Sequence, residues 1–377
     1  MTDKFTPYHD LLTTLHQKES VRSFRPQSDL VNLSSNDYLG LSNDISLKDE
    51  FLRCYQHHSD FKFGSSSSRL LTGNFTAHEA LEHTLSQAYG REALVFNSGY
   101  HMNIGILPAL ADDKTLILAD KYIHASLIDG IRLSGAKFYR YRHQDLGQLH
   151  DLLDKHHAQY RHIIIMTESV FSMDGDVTDL TALVALKCLY DNVSLYVDEA
   201  HGVGVFGRRG LGVAESQGVM GQIDFLVGTF GKAWASMGGF IICDDIIKKV
   251  LINTMRPLIF STNLPPVNAL WSNFVLSKSA DFTDKRTHLL HHAEYLINKI
   301  KNLGYDCPSA SPIIPIIVGS NDKAVHLATQ LQAQGFYVLP IRPPTVPVGT
   351  ARLRVCLTAD ITREQIDAFI AVLSAVR

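Results

Sequence analysis

Two neighbouring stretches end in residues with the makings of covalent chemistry. The run VSLYV (193–197) passes directly into Asp198-Glu199-Ala200-His201, and the next β-rich run, DFLVG (224–228), passes into Thr229-Phe230-Gly231-Lys232. Open α/β sheets bind ligands at the carboxyl ends of their strands, so a carboxylate, an imidazole and an amine are expected at one edge. A lysine amine condenses with an aldehyde, while a carboxylate beside a pyridine nitrogen keeps that nitrogen protonated by Coulomb attraction. The set suits a pyridine aldehyde cofactor, pyridoxal phosphate, with Lys232 as its covalent anchor and Asp198 at the ring nitrogen. Taken singly, Lys232 reads as a surface lysine, Asp198 as a helix cap and His201 as a core histidine. Their shared strand-end placement weighs against all three.

A cofactor phosphate needs backbone amides at a helix start, and Asn97-Ser98-Gly99-Tyr100 lies between the strand ALVF (93–96) and a helical pattern from His101. His124, in KYIHASLIDG, opens another helix after TLILA (115–119) and could equally be a capping or core residue. One pattern competes. Gly202-Val203-Gly204-Val205-Phe206-Gly207 matches the dinucleotide-binding GxGxxG directly after a strand. That fingerprint should open a helix, whereas Arg208-Arg209-Gly210-Leu211-Gly212 continues a glycine-rich loop, so a nucleotide-dependent oxidoreductase stands only as the rival reading of this stretch.

These residues need a frame to hold them. Short β-branched runs alternate with helical patterns: ALVF, TLILA, HIIIMT (162–167), VSLYV, DFLVG and GFIIC (239–243), with helices expected over Leu146–His156 and Leu180–Tyr190. The alternation predicts an α/β fold with a mostly parallel central sheet. A long helical pattern after Pro265-Pro266 runs past Trp271, Phe274 and Leu289 to about Leu303, where Gly304 supplies a stop. It leads into a smaller α+β unit: IIPIIV (313–318), a helix (322–334), FYVL (336–339), RLRVCL (352–357) and a last helix from Thr362. The expected organisation is an N-terminal helix and arm over 1–60, a large cofactor-binding domain over 61–265, and a linking helix with a small domain over 266–377.

Composition narrows the function class. The 377 residues are 45 % hydrophobic and 19 % charged with a formal net charge of -3, so no basic field favours nucleic acid or an anionic membrane. No run of about 18 apolar residues and no signal-peptide pattern is present, which points to the cytoplasm. The five cysteines lack a CxxC pair, and the doublets His57-His58, His156-His157 and His291-His292 lack chelating spacing, so no metal site is expected.

The ordered motifs SSNDYLGL (34–41), GSSSSRLLTGN (64–74), DKYIHASL (120–127), ESVFSMDGD (168–176), VDEAHGVGVFG (197–207), GTFGKA (228–233) and GTARLR (349–354) resemble those of the α-oxoamine synthases. These are pyridoxal-phosphate acyltransferases of the aspartate-aminotransferase-like fold type I. The resemblance implies Lys232 as the Schiff-base lysine, Asp198 at the pyridinium, His124 stacked on the ring, and Ser172 and His201 at the ring hydroxyl. It implies Thr229 and the backbone of Ser98, Gly99 and Tyr100 at the phosphate, with Thr262 reaching it from the second subunit of a homodimer. Arg352 would grip the amino acid's carboxylate, Asn36 would lie near the substrate, and Arg22, in competition with Arg25, would meet the acyl chain. Serines 65–68 and Trp234 depart from the family pattern, which has glycines and a small residue there. The form IRPPTVPVGTARLR (341–354) resembles members that condense L-alanine with a pimeloyl thioester, whose carrier is coenzyme A or acyl carrier protein. The alternatives are a member using glycine or serine with another acyl thioester, and a noncatalytic subunit, which the presence of Lys232 opposes.

Overall fold

The computed structural model describes residues 3–17, 21, 24 and 29–376. The chain begins with α1 (Thr6–Gln17), which buries none of its residues, and continues through β1 (Val31–Asn32) and α2 (Ile45–Tyr55). Then come α3 (Thr76–Tyr89), β2 (Glu92–Phe96), α4 (Gly99–Leu110), β3 (Thr115–Asp120), α5 (Ala125–Ser134), β4 (Lys137–Tyr141), α6 (Leu146–His156) and β5 (His162–Glu168). After these lie α7 (Leu180–Lys187), β6 (Val193–Asp198), α8 (Val213–Ser216), β7 (Phe225–Thr229), β8 (Gly239–Cys243), α9 (Asp245–Thr254) and α10 (Arg256–Ile259). The C-terminal part holds α11 (Pro266–Ser277), α12 (Thr283–Asn302), β9 (Ile313–Gly319), α13 (Asn321–Ala333), β10 (Phe336–Tyr337), β11 (Pro340–Ile341), β12 (Ala351–Cys356) and α14 (Arg363–Ala375).

The central sheet has seven strands in the order β2-β8-β7-β6-β5-β3-β4. All pairs are parallel except β2 with β8 and β7 with β8. Period-two alternation sends the strand side chains to two separate cores. Leu116, Leu118, Ile163, Ile165, Leu195 and Val197 enter one core, while Ile117, Ala119, Ile164, Met166 and Tyr196 enter the other. Helices cover both faces, which is why these strands read as continuous apolar runs rather than as half-polar ones. Each buried aliphatic side chain contributes roughly 1.5–3 kcal/mol by removal from water.

The sheet is therefore mostly parallel, as expected, but two elements differ from the sequence reading. Strand β4, KFYRY, carries lysine and arginine because it is the sheet's edge, and edge strands are kept charged; that same charge hides it from a search for apolar runs. The long helical pattern after Pro265 is broken into α11 and α12 by a short 3-10 turn at Ser279–Phe282. Arg286 of α12 donates to the carbonyls of Ser279 at 2.7 Å and Arg208 at 2.8 Å, and Ser279 Oγ donates to the Arg209 carbonyl at 2.5 Å. The break thus grips the glycine-rich loop, a long-range demand invisible to helical periodicity.

The N-terminal arm is stitched to the small C-terminal sheet, β11-β12-β9, rather than to the large one. Strand β1 pairs with β10, the Cys356 amide donates to the Leu33 carbonyl at 2.8 Å, and the Ala359 amide donates to the Tyr38 carbonyl at 2.8 Å. Among the described residues, no helix is long and apolar enough to cross a membrane.

Candidate active site

Strands β5, β6 and β7 end side by side, with Glu168 in register with Asp198 and Asp198 in register with Val227. Lys232 follows β7, and the N-terminal ends of α4 and α5 close the same edge. Between them lies a cavity of about 190 Å³ lined by Gly99, Tyr100, Asn103, His124, Ser126, Glu168, Asp198, His201, Thr229 and Lys232.

Lys232 Nζ stands 2.8 Å from His201 Nε2, and His201 Nδ1 stands 2.7 Å from the Tyr38 hydroxyl. Burial, followed by the charges of Lys232 and Arg354, holds the His201 imidazole well below its usual range, so the ring is neutral. With the amine donating to Nε2, the ring proton belongs on Nδ1 and is donated to Tyr38. Tyr38 in turn donates to Asn36 Oδ1 at 3.3 Å, completing a one-way chain of hydrogen bonds. Burial also pushes the Lys232 amine down to about 8, against the opposing attraction of Asp198. A lysine so placed reaches the free-amine form, which a nucleophile or base requires, at far lower pH than an exposed lysine.

Asp198 is 5 % exposed and is fixed by two donors, Asn103 Nδ2 at 2.8 Å and the Ala200 amide at 2.9 Å. Asn103 also receives the Tyr196 hydroxyl at 2.8 Å and donates to Ser126 Oγ at 3.0 Å. Ser126 lies 2.8 Å from His124 Nδ1, which caps α5, while the His124 amide donates to Glu168 at 2.5 Å. Burial lowers the His124 imidazole, so this ring too is neutral.

Ser98 caps α4 by accepting from the His101 amide at 3.2 Å. The amides of Gly99 and Tyr100 sit in the first helical turn, where no intrahelical acceptor exists, and both residues line the cavity. Gly239 allows this approach, because a Cβ there would come within 3.0 Å of the Gly99 backbone. Thr229 Oγ1 donates to the Gly238 carbonyl at 2.8 Å and accepts from the Gly231 amide at 3.1 Å, shaping the turn that presents Lys232.

Of the residues singled out in the sequence, Lys232, Asp198, His201, His124, Thr229, Gly99 and Tyr100 meet in this cavity, and Ser98 adjoins it as the cap. Arg352 does not. Its guanidinium is ion-paired with Asp174 and donates to the Met173 carbonyl at 3.3 Å, leaving its side chain 4 % exposed. Arg354, two residues on, donates to the Ser172 carbonyl at 2.5 Å and to Asn36 Oδ1 at 3.2 Å, and its charge is felt by both Lys232 and His201. In RLR the two arginines face the same side, so only the position of Asp174 separates them. Ser172 contributes a carbonyl to Arg354, and the Thr262 carbonyl accepts from Asn97 at 2.5 Å outside the cavity of this chain. Arg22 and its competitor Arg25 lie outside the described residues.

Sequence reading passed over Glu168, Asn103, Tyr38 and Arg354. Glu168 closes HIIIMTE as Asp198 closes VSLYVD, and Asn103 lies one helical turn beyond Gly99; both signals were present. Nothing local marks Tyr38, whose partner His201 is 163 residues away. The GxGxxG stretch is explained by Glu199. That carboxylate accepts from Ser169 Oγ at 2.5 Å and from the amides of Val213 at 3.1 Å and Ala214 at 2.7 Å. A Cβ at Gly202 or Gly212 would run into it, so the glycines fold a loop around an internal acid and leave no room for a dinucleotide.

Residues 28–373 match the family of class I and II aminotransferases. An 8-amino-7-oxononanoate synthase of Haemophilus ducreyi is 55 % identical over 351 residues, covering 91 % of each chain. The chain belongs to the class I and II aminotransferase family, among its α-oxoamine synthases. Two solved structures of this family superpose closely. Serine palmitoyltransferase from S. paucimobilis with bound PLP and myriocin gives a TM-score of 0.88 at 29 % identity, covering 99 % of this chain and 97 % of that one. The 8-amino-7-oxononanoate synthase of Francisella tularensis gives 0.79 at 29 % identity, covering 93 % and 98 %. The cavity fits the pyridoxal phosphate of the family on its own chemistry: a buried amine for the aldehyde, a fixed carboxylate for the ring nitrogen, and free amides at a helix start for the phosphate.

Proposed function

We propose that this chain catalyses the decarboxylative condensation of L-alanine with a pimeloyl thioester, giving 8-amino-7-oxononanoate, carbon dioxide and free thiol in biotin synthesis. The observation that carries the reading is the joining of Lys232, Asp198 and His124 in one cavity, in a chain 55 % identical to an 8-amino-7-oxononanoate synthase. Bound there, pyridoxal phosphate supplies an aldehyde for the amino acid and an electron sink for its α-carbon. Lys232 Nζ, increasingly neutral above its value of about 8, takes the α-proton and later returns one. His201 keeps that nitrogen aimed without adding charge. Asp198, pinned by Asn103 and Ala200, holds a proton on the ring nitrogen. His124 closes the opposite side of the cavity as a neutral ring with hydrogen-bond capacity to spare.

Arg354, reaching toward Asn36, is the better placed guanidinium for the alanine carboxylate, with Arg352 holding the loop that shapes its surroundings. Arg342, in the proline-rich turn before β12, gives a cation suited to an acidic acyl chain or carrier. We read the working enzyme as a cytoplasmic homodimer in which Thr262 serves the partner's phosphate site. Supporting this, Phe63, Leu71 and Phe260 are 80 %, 77 % and 71 % exposed, and the Asn263 amide joins their segments by donating to the Ser67 carbonyl at 3.0 Å.

Incubating the purified protein with alanine or glycine and pimeloyl, succinyl or acetyl thioesters, and identifying the ketone by mass, tests the assignment. Alanine with pimeloyl thioester should turn over fastest. Faster turnover of glycine with a succinyl or acetyl thioester would overturn the substrate assignment and leave the family intact.

A further inference from the structure

The cavity contains a second buried carboxylate with no assigned role. Glu168 and Asp198 end adjacent parallel strands at partnered positions, so both side chains leave the same face of the sheet and enter the same cavity. They are 3 % and 5 % exposed. Two carboxylates this close in a medium of low polarity do not both stay ionised, and one proton is retained between them. The donors decide which one keeps it. Asp198 receives two, from Asn103 and Ala200, whereas among the described residues Glu168 receives the His124 amide alone, on Oε1.

We propose that Glu168 works as a neutral carboxylic acid, leaving Asp198 as the single anionic carboxylate of the cavity and presenting an O–H donor beside it. Asp198 from β6, Lys232 beyond β7 and Asp120 at the end of β3 act on Glu168 by their charge, the His124 amide at the start of α5 donates to it, and His201 lines the same cavity as a neutral ring. Lys232 opposes the proton by its charge, and Asp198 and Asp120 favour it. Burial pushes the Glu168 carboxyl well above its usual range, in the same direction as the geometry. Glu168 is thereby a positioning residue. It fixes the backbone of His124 and keeps a second negative charge away from Lys232 and from the ring nitrogen that Asp198 must serve.

The inference rests on the reading of this cavity as the cofactor site, and infrared spectroscopy separates the two. Glu199 is driven up to about 7 by burial, so at pH 9 it is ionised and does not contribute a neutral carboxyl band. At that pH the holoenzyme should show one buried carboxylic-acid stretch that disappears in Glu168→Gln. The variant, which replaces a neutral acid by a neutral amide, should bind pyridoxal phosphate within about twofold of wild type. It should leave the pH midpoint of the cofactor's absorbance unmoved. Absence of the band in wild type overturns the proposal even where the variant fails to fold. A drop in the absorbance midpoint of about one unit or more in Glu168→Gln does so too, because it reports a lost anion beside Lys232. If the band is present but the protein binds no pyridoxal phosphate, the functional reading falls and the protonation of Glu168 stands.

Discussion

Arg354 and Asn36, 318 residues apart in sequence, meet through two hydrogen bonds of 3.2 Å from the guanidinium to the amide oxygen. The pair lies beside the Tyr38–His201–Lys232 chain and presents the cation we propose for the substrate carboxylate. Replacing Arg354 by Ala is expected to raise the KM for alanine by about tenfold to a hundredfold, the loss of a hydrogen-bonded ion pair of roughly 1.5–3 kcal/mol. Arg352→Ala should act mainly on stability, since it leaves Asp174 unpaired. Steady-state kinetics and urea unfolding of both variants distinguish the two roles, and an alanine KM that rises only in Arg352→Ala would reverse them.

Lys232→Ala should abolish turnover while the protein still folds, because this buried amine spends its side chain on chemistry rather than packing. Borohydride treatment of the wild type with pyridoxal phosphate should fix the cofactor's mass on the peptide carrying Lys232. A fixed adduct at another single lysine in the variant would remove Lys232 from the assignment.

Asp198→Asn is expected to retain the cofactor but to slow exchange of the substrate α-proton severely, since a neutral amide does not hold the ring nitrogen charged. The structure adds a cost: Asn103 and the Ala200 amide both donate to Asp198, so the new NH₂ group must face a donor. Deuterium exchange into alanine, followed by mass spectrometry, reads the effect, and near-normal exchange would exclude Asp198.

His143 lies between Asp120 and Asp176, with nitrogen to oxygen distances of 3.0 and 2.9 Å. Burial alone would lower this imidazole, but its hydrogen bonds to both aspartates outweigh that and push it up to about 10. A raised value means the stabilisation is complete below the unfolded value of about 6.5 and is lost as pH rises through 10. Allowing for solvent screening, the clip contributes on the order of 2 kcal/mol at pH 6. The urea-midpoint gap between wild type and His143→Gln should therefore shrink from pH 6 to pH 10. A gap that stays constant would mean that His143 is not held charged.

Much of this arrangement was legible in the sequence, and for a physical reason. Asp198, Thr229 and Lys232 follow strands directly, so the rule that ligands gather at strand ends translates position into place. What escaped was set by distant partners. Arg352 and Arg354 are indistinguishable until Asp174 takes one of them, and Tyr38 acquires meaning only when the arm brings it to His201. The helical period after Pro265 is sound on both sides of Ser279, yet the chain breaks there because Arg286 must reach Arg208.

Because the N-terminal arm is bonded to the small sheet, Asn36, Tyr38 and Arg354 form one body, while Lys232, Asp198 and His201 belong to the large sheet. The Tyr38–His201 bond of 2.7 Å is then a seam between two halves of the molecule. Any opening of the small sheet away from the large one would part this bond together with the Arg352–Asp174 and Arg354–Ser172 contacts. On the proposed reading, the lysine would lose the hydrogen-bond chain that orients its neighbour at the moment the Arg354–Asn36 pair withdraws, so amino-acid capture and readiness of the base would share one mechanical coordinate.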